Sequence, residues 1–509
     1  GLVWRAIVEQ VDVAGSESAF VSVADTPRTT FAKHPWSIGG GGAADLKNVI
    51  EKGRKTLGPI AAELGIASVT GEDDLYMLDR KTGQRLGIEQ LRPLVTGDLV
   101  RDWQAESVES VWLYDEGFNL KALESLPATN SLFWPYRSNI NKRKRFGTPM
   151  VERGLSWYEW QELYVNKLRT PLTITFGEVA THNHFVLDRG GKVFKQTAPV
   201  IKLPAGTSED EHLGLLGLLN SSVACFWLQQ VCHNKGGPGG GSSKDEKWHD
   251  FYALNATKIA HFPLVESRPL ALTKTLDRLA QELAADTPAA LIASALPARA
   301  DLNAAQGRSH RLRQEMIATQ EELDWHCYQL YGLTQTELTH PQPPAIALGE
   351  RAFEILMARR MAAGQFETCW FEWLKIAPVT SLPADWPVDY RRVVEARIAL
   401  IESDKFIALI ESPNCKRRWE SNSWMVEEQT ALRGWLLDRL ESTLQSAATD
   451  TPSLTSSNKL ADRLRTDADF MQVAGLYARC ADFDVAPLVA NLVAGEAVPV
   501  LPVLRYSEA

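Results

Sequence analysis

The sequence predicts an α+β fold in which a mixed α/β unit is followed by a helical spacer and a mainly helical carboxy-terminal domain. Three observations lead there. Short β-prone runs alternate with helical stretches up to about residue 265, leucines recur at helical spacing after Pro269, and prolines crowd residues 340–344 before a further helical region. With 509 residues, 45% apolar and 23% charged, the chain is too long for a single core and has the composition of a folded globular protein. The expected partition is 1–54, 55–268, 269–338 and 345–509.

Residues 3–8, Val-Trp-Arg-Ala-Ile-Val, read as a buried strand, and residues 19–23 as a second. A buried strand opening without a cap predicts that Gly1 is not the natural start. Residues 36–46 form a glycine-rich loop that feeds a helix ending near Lys52. A helix is expected over 60–64, a strand over 74–78, and another over 99–112 after the turn Thr96-Gly97-Asp98. Further strands are expected over 172–176, 185–187 and 198–203, and one helix over 212–231. The glycine-rich segment 234–243 reads as a loop. Leu272, Leu276, Leu279 and Leu283 then share one helical face, and Leu312, Met316, Leu323, Cys327 and Leu330 stripe a second helix that stops at Gly332. Beyond the prolines, helices are expected over 390–410 and 426–442, with the basic turn Lys416-Arg417-Arg418-Trp419 between them and a Ser/Thr/Ala-rich loop over 446–458.

Several function classes find no support. The longest apolar run, 213–228, is broken by Gly214, Gly217 and Asn220, so no stretch supplies the roughly 20 apolar residues of a bilayer span. The amino terminus lacks the pattern of a secretory signal, and a cytoplasmic protein is expected. Six scattered cysteines form no Cys-x-x-Cys pair, and Cys225, Cys232, His233 and His249 fit no common zinc spacing, so neither disulfide nor metal is expected. Gly39 to Gly42 could cradle a phosphate where the loop enters its helix. However, no strand leads into it, and the first acidic pair, Glu72-Asp73, lies too far on to hold a ribose; a loop that lets two domains approach closely is the simpler reading.

The net charge of −9 conceals a local reversal. Residues 133–170 hold eight basic residues against three acidic ones, interleaved with Phe133, Trp134, Tyr136, Trp157, Tyr158 and Trp160. Lysine and arginine release counterions on meeting phosphate, and asparagine and arginine can bond base edges. Arg137, Lys142, Arg143 and Arg145, with Lys144 beside them, are therefore expected on DNA phosphates, and Asn139 or Asn141 near bases. Lys235, Lys244 and Lys247 surround the glycines of the 234–243 region and could close over the duplex. His182-Asn183-His184 is a weaker candidate for phosphate contact, and Lys416-Arg417-Arg418-Trp419 for a second DNA contact or a tie to a catalytic domain outside this sequence. The plainer alternatives are a solvated basic loop beside core tryptophans, surface histidines and a charged helix start.

Several segments together resemble one family. They are His34-Pro35-Trp36-Ser37-Ile38 with Gly39 to Gly42, Arg92-Pro93-Leu94-Val95-Thr96-Gly97-Asp98, Leu215-Leu216-Gly217-Leu218-Leu219-Asn220-Ser221-Ser222, and Ala256-Thr257-Lys258-Ile259-Ala260-His261-Phe262-Pro263-Leu264. Gln320-Glu321-Glu322-Leu323-Asp324-Trp325, Tyr328-Gln329-Leu330-Tyr331-Gly332-Leu333 and Lys416-Arg417-Arg418-Trp419 follow in order. The family is PglX, the large adenine-specific DNA methyltransferases of bacterial BREX phage-defence systems, which are fused to their own DNA-recognition domain. The resemblance implies that 55–268 is a target-recognition domain for double-stranded DNA, and that other phage-defence proteins and DNA-mimicking phage inhibitors are further partners. It also implies S-adenosylmethionine on a catalytic part that this sequence lacks. The one Pro-Pro pair, Pro343-Pro344, stands between Gln342 and Ala345, without the polar and aromatic flanks that hold a flipped adenine. No catalytic or cofactor-binding residue is therefore assigned. The rival readings are a protein-interaction scaffold of a defence complex and a nucleotide-binding enzyme using the glycine loop.

Overall fold

The computed structural model describes residues 2–18, 21–25, 28–32, 41–237, 246–420, 422–446 and 455–494. The chain forms two compact units, one of residues 1–280 and 314–419, the other of 281–313 and 420–509. The helix Arg299–Leu330 runs from the second into the first.

In the first unit, Phe185–Asp188, Thr173–Phe176, Val200–Lys202 and Glu63–Gly65 form an antiparallel four-stranded sheet in that order. Thr173–Phe176, Phe185–Leu187 and Val200–Ile201 are continuous apolar or β-branched runs, as expected where both faces are covered, and Ile174, Phe176, Phe185, Val200 and Ile201 are buried. A second, mixed sheet orders Val193–Phe194, Leu91–Val95, Val108–Val111 and Met77–Leu78, its first pair parallel. Where the two sheets' connections cross, Gly97 donates its N–H to Thr197 Oγ1 at 3.0 Å. A Cβ on Gly97 would lie 2.1 Å from the Thr197 carbonyl oxygen. Gly97→Ala is expected to cost about 2–3 kcal/mol, because backbone on both sides must move; an unchanged melting temperature would contradict this crossing.

The expected strands over 172–176, 185–187 and 198–203 form, and so do the helices Leu270–Ala285 and Arg299–Leu330. Other expectations are corrected. Residues 3–8 lie in the helix Leu2–Gln10, with Val3, Trp4 and Val8 exposed, so this short apolar run follows the helical period instead. Of the strand expected over 19–23, residues 19 and 20 lie outside the described residues, and Ser22 makes an isolated bridge to Glu17. The 60–64 segment is a 3-10 turn, Gly58–Ile60, and then a strand recruited by pairing with 200–202. Residues 74–78 begin as the short helix Asp73–Tyr76, whose first turn carries two aspartates, before extending at Met77–Leu78. The long strand over 99–112 is broken because Asp102 and Trp103 both take positive φ, which folds Val100–Arg101 back on Gln104–Ala105.

The helix over 212–231 is two helices, Glu209–Leu219 and Ser222–Val231. The break has a long-range cause: the Asn220 side chain accepts from the Phe185 N–H at 3.0 Å and donates to the Phe185 carbonyl at 2.8 Å, and Ser221 caps the second helix. Asp404 likewise divides 390–410 into Val388–Ser403 and Lys405–Ile410 by capping the latter. The proline cluster at 340–344 lies inside the first unit rather than between units. Its neighbours are tied there, Leu338 O accepting from Arg397 and the His340 N–H reaching Glu322.

The second unit is helical among its described residues. Pro288–Ser294, Trp424–Ser446, Ser457–Leu464, Ala468–Ala478 and Val485–Ala494 enclose Leu432, Leu436, Leu440, Phe470, Val473 and Val489. Of the loop expected over 446–458, residues 447–454 lie outside the described residues. Among the described residues, no helix is long and apolar enough to cross a membrane.

Candidate nucleic-acid interface

The basic segment is held on an aromatic core in the first unit. Tyr76, Trp112, Tyr114, Phe133, Ile140 and Trp160 are buried together. Phe133 ends the helix Pro127–Phe133 and Ile140 ends Arg137–Ile140, so these two anchors fix the residues between them at the surface. There the Arg137 guanidinium stacks 4.9 Å from the centroid of Trp134 and 5.6 Å from that of Trp157, with Trp134 58% exposed. Asn139, Asn141, Lys142 and Lys144 are exposed. Neither Lys142 nor Lys144 has a carboxylate partner among the described residues, so both ammonium groups face solvent without compensation.

Arg143 departs from its neighbours and from the expectation that it meets phosphate. It is 7% exposed. Its guanidinium donates to the carbonyls of Ile140 at 3.0 Å, Thr70 at 2.7 Å, Trp157 at 3.0 Å and Glu159 at 2.7 Å. A buried guanidinium must satisfy its donors, and here it does so on four carbonyls, tying its own turn to the segments at Thr70 and at Trp157 to Glu159. Arg143 is thus a fastener behind the basic surface.

Beyond it, Lys144–Arg145 and Thr148–Pro149 form a minimal hairpin. Its two-residue turn, Phe146-Gly147, has φ of +48° and +86°, the sense a type I′ turn requires. The base is pinned: Glu162 pairs with Arg145 at 2.6 Å and Arg153 at 2.8 Å, Gln161 donates to Lys144 O at 2.7 Å, and Met150 is buried. Phe146 at the tip is 94% exposed. Leaving that ring in water forgoes roughly 1.5–3 kcal/mol of burial, and the left-handed backbone adds about 1–2 kcal/mol.

Lys235 and Lys247 are exposed at another edge, where His233–Gly236 pairs with Phe251–Ala253. A register shift between Asn234 and Gly236 bulges Lys235 outward. Lys247 opens the turn Lys247–His249, whose Trp248 is buried and donates to Glu246 at 2.8 Å. Lys244 lies outside the described residues. No hydrogen bond or ion pair joins this edge to the 137–145 surface among the described residues.

His182-Asn183-His184 and Lys416-Arg417-Arg418-Trp419 are both buried, so neither meets phosphate. They meet each other. Arg417 donates to His184 Nδ1 at 2.6 Å, Asn183 O at 3.0 Å and Asn220 Oδ1 at 2.9 Å. Burial, and after it the Arg418 charge, pushes His182 down to about 3. Burial and then Arg417 hold His184 well below the ordinary histidine value. Both rings are therefore neutral, and the charge here belongs to the arginines. Lys416 sits deeper, 2.8 Å from Glu321 and 2.9 Å from both Asp324 and Glu411.

Of the glycine loop, Gly39 and Gly40 lie outside the described residues, while Gly41 and Gly42 take positive φ before the helix Ala43–Glu51. A Cβ on Gly42 would touch the Lys405 stem, and since both residues belong to the first unit the approach here is within one unit and not between two domains. Burial pushes the Cys232 thiol up to about 12, and among the described residues no three metal-ligating side chains gather.

One cationic feature escaped the sequence reading. Parallel pairing of Leu91–Val95 with Val193–Phe194 opens a cleft of about 200 Å³ beside the Gly190-Gly191 turn. Arg92, Lys167, Arg169 and Lys192 line it, with Asp188 as the acidic residue. Lys192 pairs with Asp188 at 3.3 Å and Lys167 donates to Ile66 O at 2.9 Å, whereas Arg169 is exposed. Lys167 and Arg169 belong to the basic excess after residue 133, but Arg92 joins them only through a pairing a hundred residues away in sequence.

Comparison with known proteins adds three findings. Residues 316–509 match a domain of unknown function, DUF7008. The chain is 41% identical over 522 residues to the adenine-specific methyltransferase PglX of Streptomyces coelicolor, an alignment covering 99% of this chain and 43% of that protein. It thus spans less than half the length of the curated relative it matches. Among solved structures, it is similar to the type IIL restriction-modification enzyme MmeI in complex with DNA. That superposition has a TM-score of 0.32 at 13% identity and covers 57% of this chain and 35% of MmeI, too loose to transfer a fold or a function.

Proposed function

We propose that this chain is the DNA-gripping part of an adenine-specific DNA methyltransferase of the PglX kind, and that the methyl transfer belongs to a part outside it. The observation that carries the reading is the 41% identity to such an enzyme across 99% of the chain. The geometry supplies the surface: Arg137, Lys142 and Lys144 lie exposed beside one another in sequence on a rigid aromatic base, while Arg143 is turned inward to hold that base. Uncompensated cations on a stiff scaffold suit phosphate contact, since no ion pair has to be broken and little backbone freedom is lost on binding.

In this reading Arg137, Lys142, Lys144 and Arg145 take phosphates, and Asn139 and Asn141 stand near base edges. Lys235, Lys244 and Lys247 touch a second stretch of backbone, and Arg169 offers a further contact at the cleft mouth. S-adenosylmethionine would bind the catalytic part, and other defence proteins and DNA-mimicking inhibitors would meet the same cationic face.

Hydroxyl-radical footprinting of the full chain on long duplex fragments tests the proposal. Protection of a short defined site is expected at moderate salt, on top of weaker general binding at low salt. Failure to bind any duplex at low salt would end it.

A further inference from the structure

We propose that Phe146 is a wedge that inserts between stacked base pairs when the 137–145 surface lies on duplex DNA. The inference rests on the DNA-binding reading above and deepens it. A phenyl ring at the tip of a two-residue turn, 94% exposed and on left-handed backbone, is unfavourable for folding on both counts. Asparagine would suit the position better, because Asn-Gly is the preferred pair for such a turn. Nothing within 4 Å would meet a side chain added at Gly147, so the tip projects into open space.

The rest of the hairpin is built for stiffness. Glu162 clamps Arg145 and Arg153, Gln161 holds the Lys144 carbonyl, and Arg143 ties the base to four carbonyls. The Arg145 guanidinium lies 4.9 Å from the Phe146 ring centroid. A rigid apolar probe is thus presented within a cationic surround, with Lys142 and Lys144 exposed close by in sequence. That charge pattern selects a polyanion with an apolar interior, which is the cross-section of a DNA duplex. Proteins that kink DNA insert Phe, Leu, Ile or Met in this way, unstacking one base step while adjacent cations hold the phosphates. A ring placed there also lowers the cost of taking a neighbouring base out of the stack, as an enzyme acting on a base must do.

Intercalation unwinds DNA, so the test is topological. A nicked plasmid is bound by the full chain, sealed with ligase and stripped of protein, and the topoisomers are resolved; occupancy is measured in parallel by fluorescence anisotropy. Wild-type protein should lower the mean linking number in proportion to occupancy. At equal occupancy Phe146→Asn should lose the shift while keeping or raising the melting temperature, and Phe146→Trp should retain it. An equal shift in wild type and Phe146→Asn, or no shift from bound wild type, would overturn the wedge and leave the DNA-binding reading standing. Absence of any wild-type binding would remove both.

Discussion

Lys416→Met is expected to destabilise the first unit by about 3–5 kcal/mol, the usual cost of stripping one partner from a buried ionic cluster. The lysine is fully buried, and burial alone would favour loss of its proton. Asp324, Glu321 and Glu411 reverse that and hold it above the ordinary lysine value. With Arg351 and its partner Glu354 nearby, the cluster sets four carboxylates against two cations. Four full negative charges would be costly here, and the groups themselves identify which one yields. Asp324 also accepts from Ser222 N at 2.8 Å and Ser222 Oγ at 2.7 Å. Glu321 Oε2 and Glu411 Oε2 are both buried with no hydrogen-bond partner, but Glu411 Oε1 also accepts from the Tyr328 hydroxyl at 2.5 Å, which leaves Glu321 the least supported. Burial, offset in part by Lys416, pushes Glu321 up to about 7.

The matched control is Glu321→Gln, which mimics the protonated acid and should cost less than about 1 kcal/mol. A raised carboxyl value favours the native state most strongly below its ordinary range near 4.5, and that contribution fades as pH rises through about 7. The wild-type urea midpoint should therefore fall between pH 5 and pH 8 more than that of Glu321→Gln. Unfolding of Lys416→Met at the wild-type midpoint would contradict the assigned role.

This cluster also shows where sequence reading stops. Lys416-Arg417-Arg418-Trp419 has the local composition of a solvated turn, yet its partners come from 92 residues upstream at Asp324 and from His184, Asn183 and Asn220 farther back. Leu215–Ser222, Gln320–Trp325 and Lys416–Trp419, which carry much of the family resemblance, meet in this core, so they specify the fold rather than touch DNA. The strands over 173–176, 185–188 and 200–202 were legible because β-branched and aromatic residues cluster there. The break at Asn220 was not, since its cause is a hydrogen bond to Phe185. Within the site, composition located the basic surface but could not tell Arg143 from Lys142 and Lys144. The chain turns at Ile140–Arg143, where the Arg143 N–H meets Ile140 O at 3.1 Å, and sends that one side chain inward. The Phe146-Gly147 turn was not read from the sequence, because the two-residue strands that define it are too short to show a period, and it became visible only once they paired.

The largest functional effect is expected from Arg137→Ala/Lys142→Ala/Lys144→Ala. These positions are surface-exposed, and replacing them should leave the fold within about 1 kcal/mol of wild type. Each phosphate contact removed lowers the slope of log affinity against log salt by about 0.9, so the triple variant should lose roughly two to three units of slope. At moderate salt that corresponds to an affinity loss on the order of a hundredfold or more. The measurement is a salt titration of duplex binding by fluorescence anisotropy, with wild type and triple variant side by side. A shallower slope and weaker binding in the variant is the predicted result; identical slopes and affinities would contradict a DNA-gripping surface at 137–145.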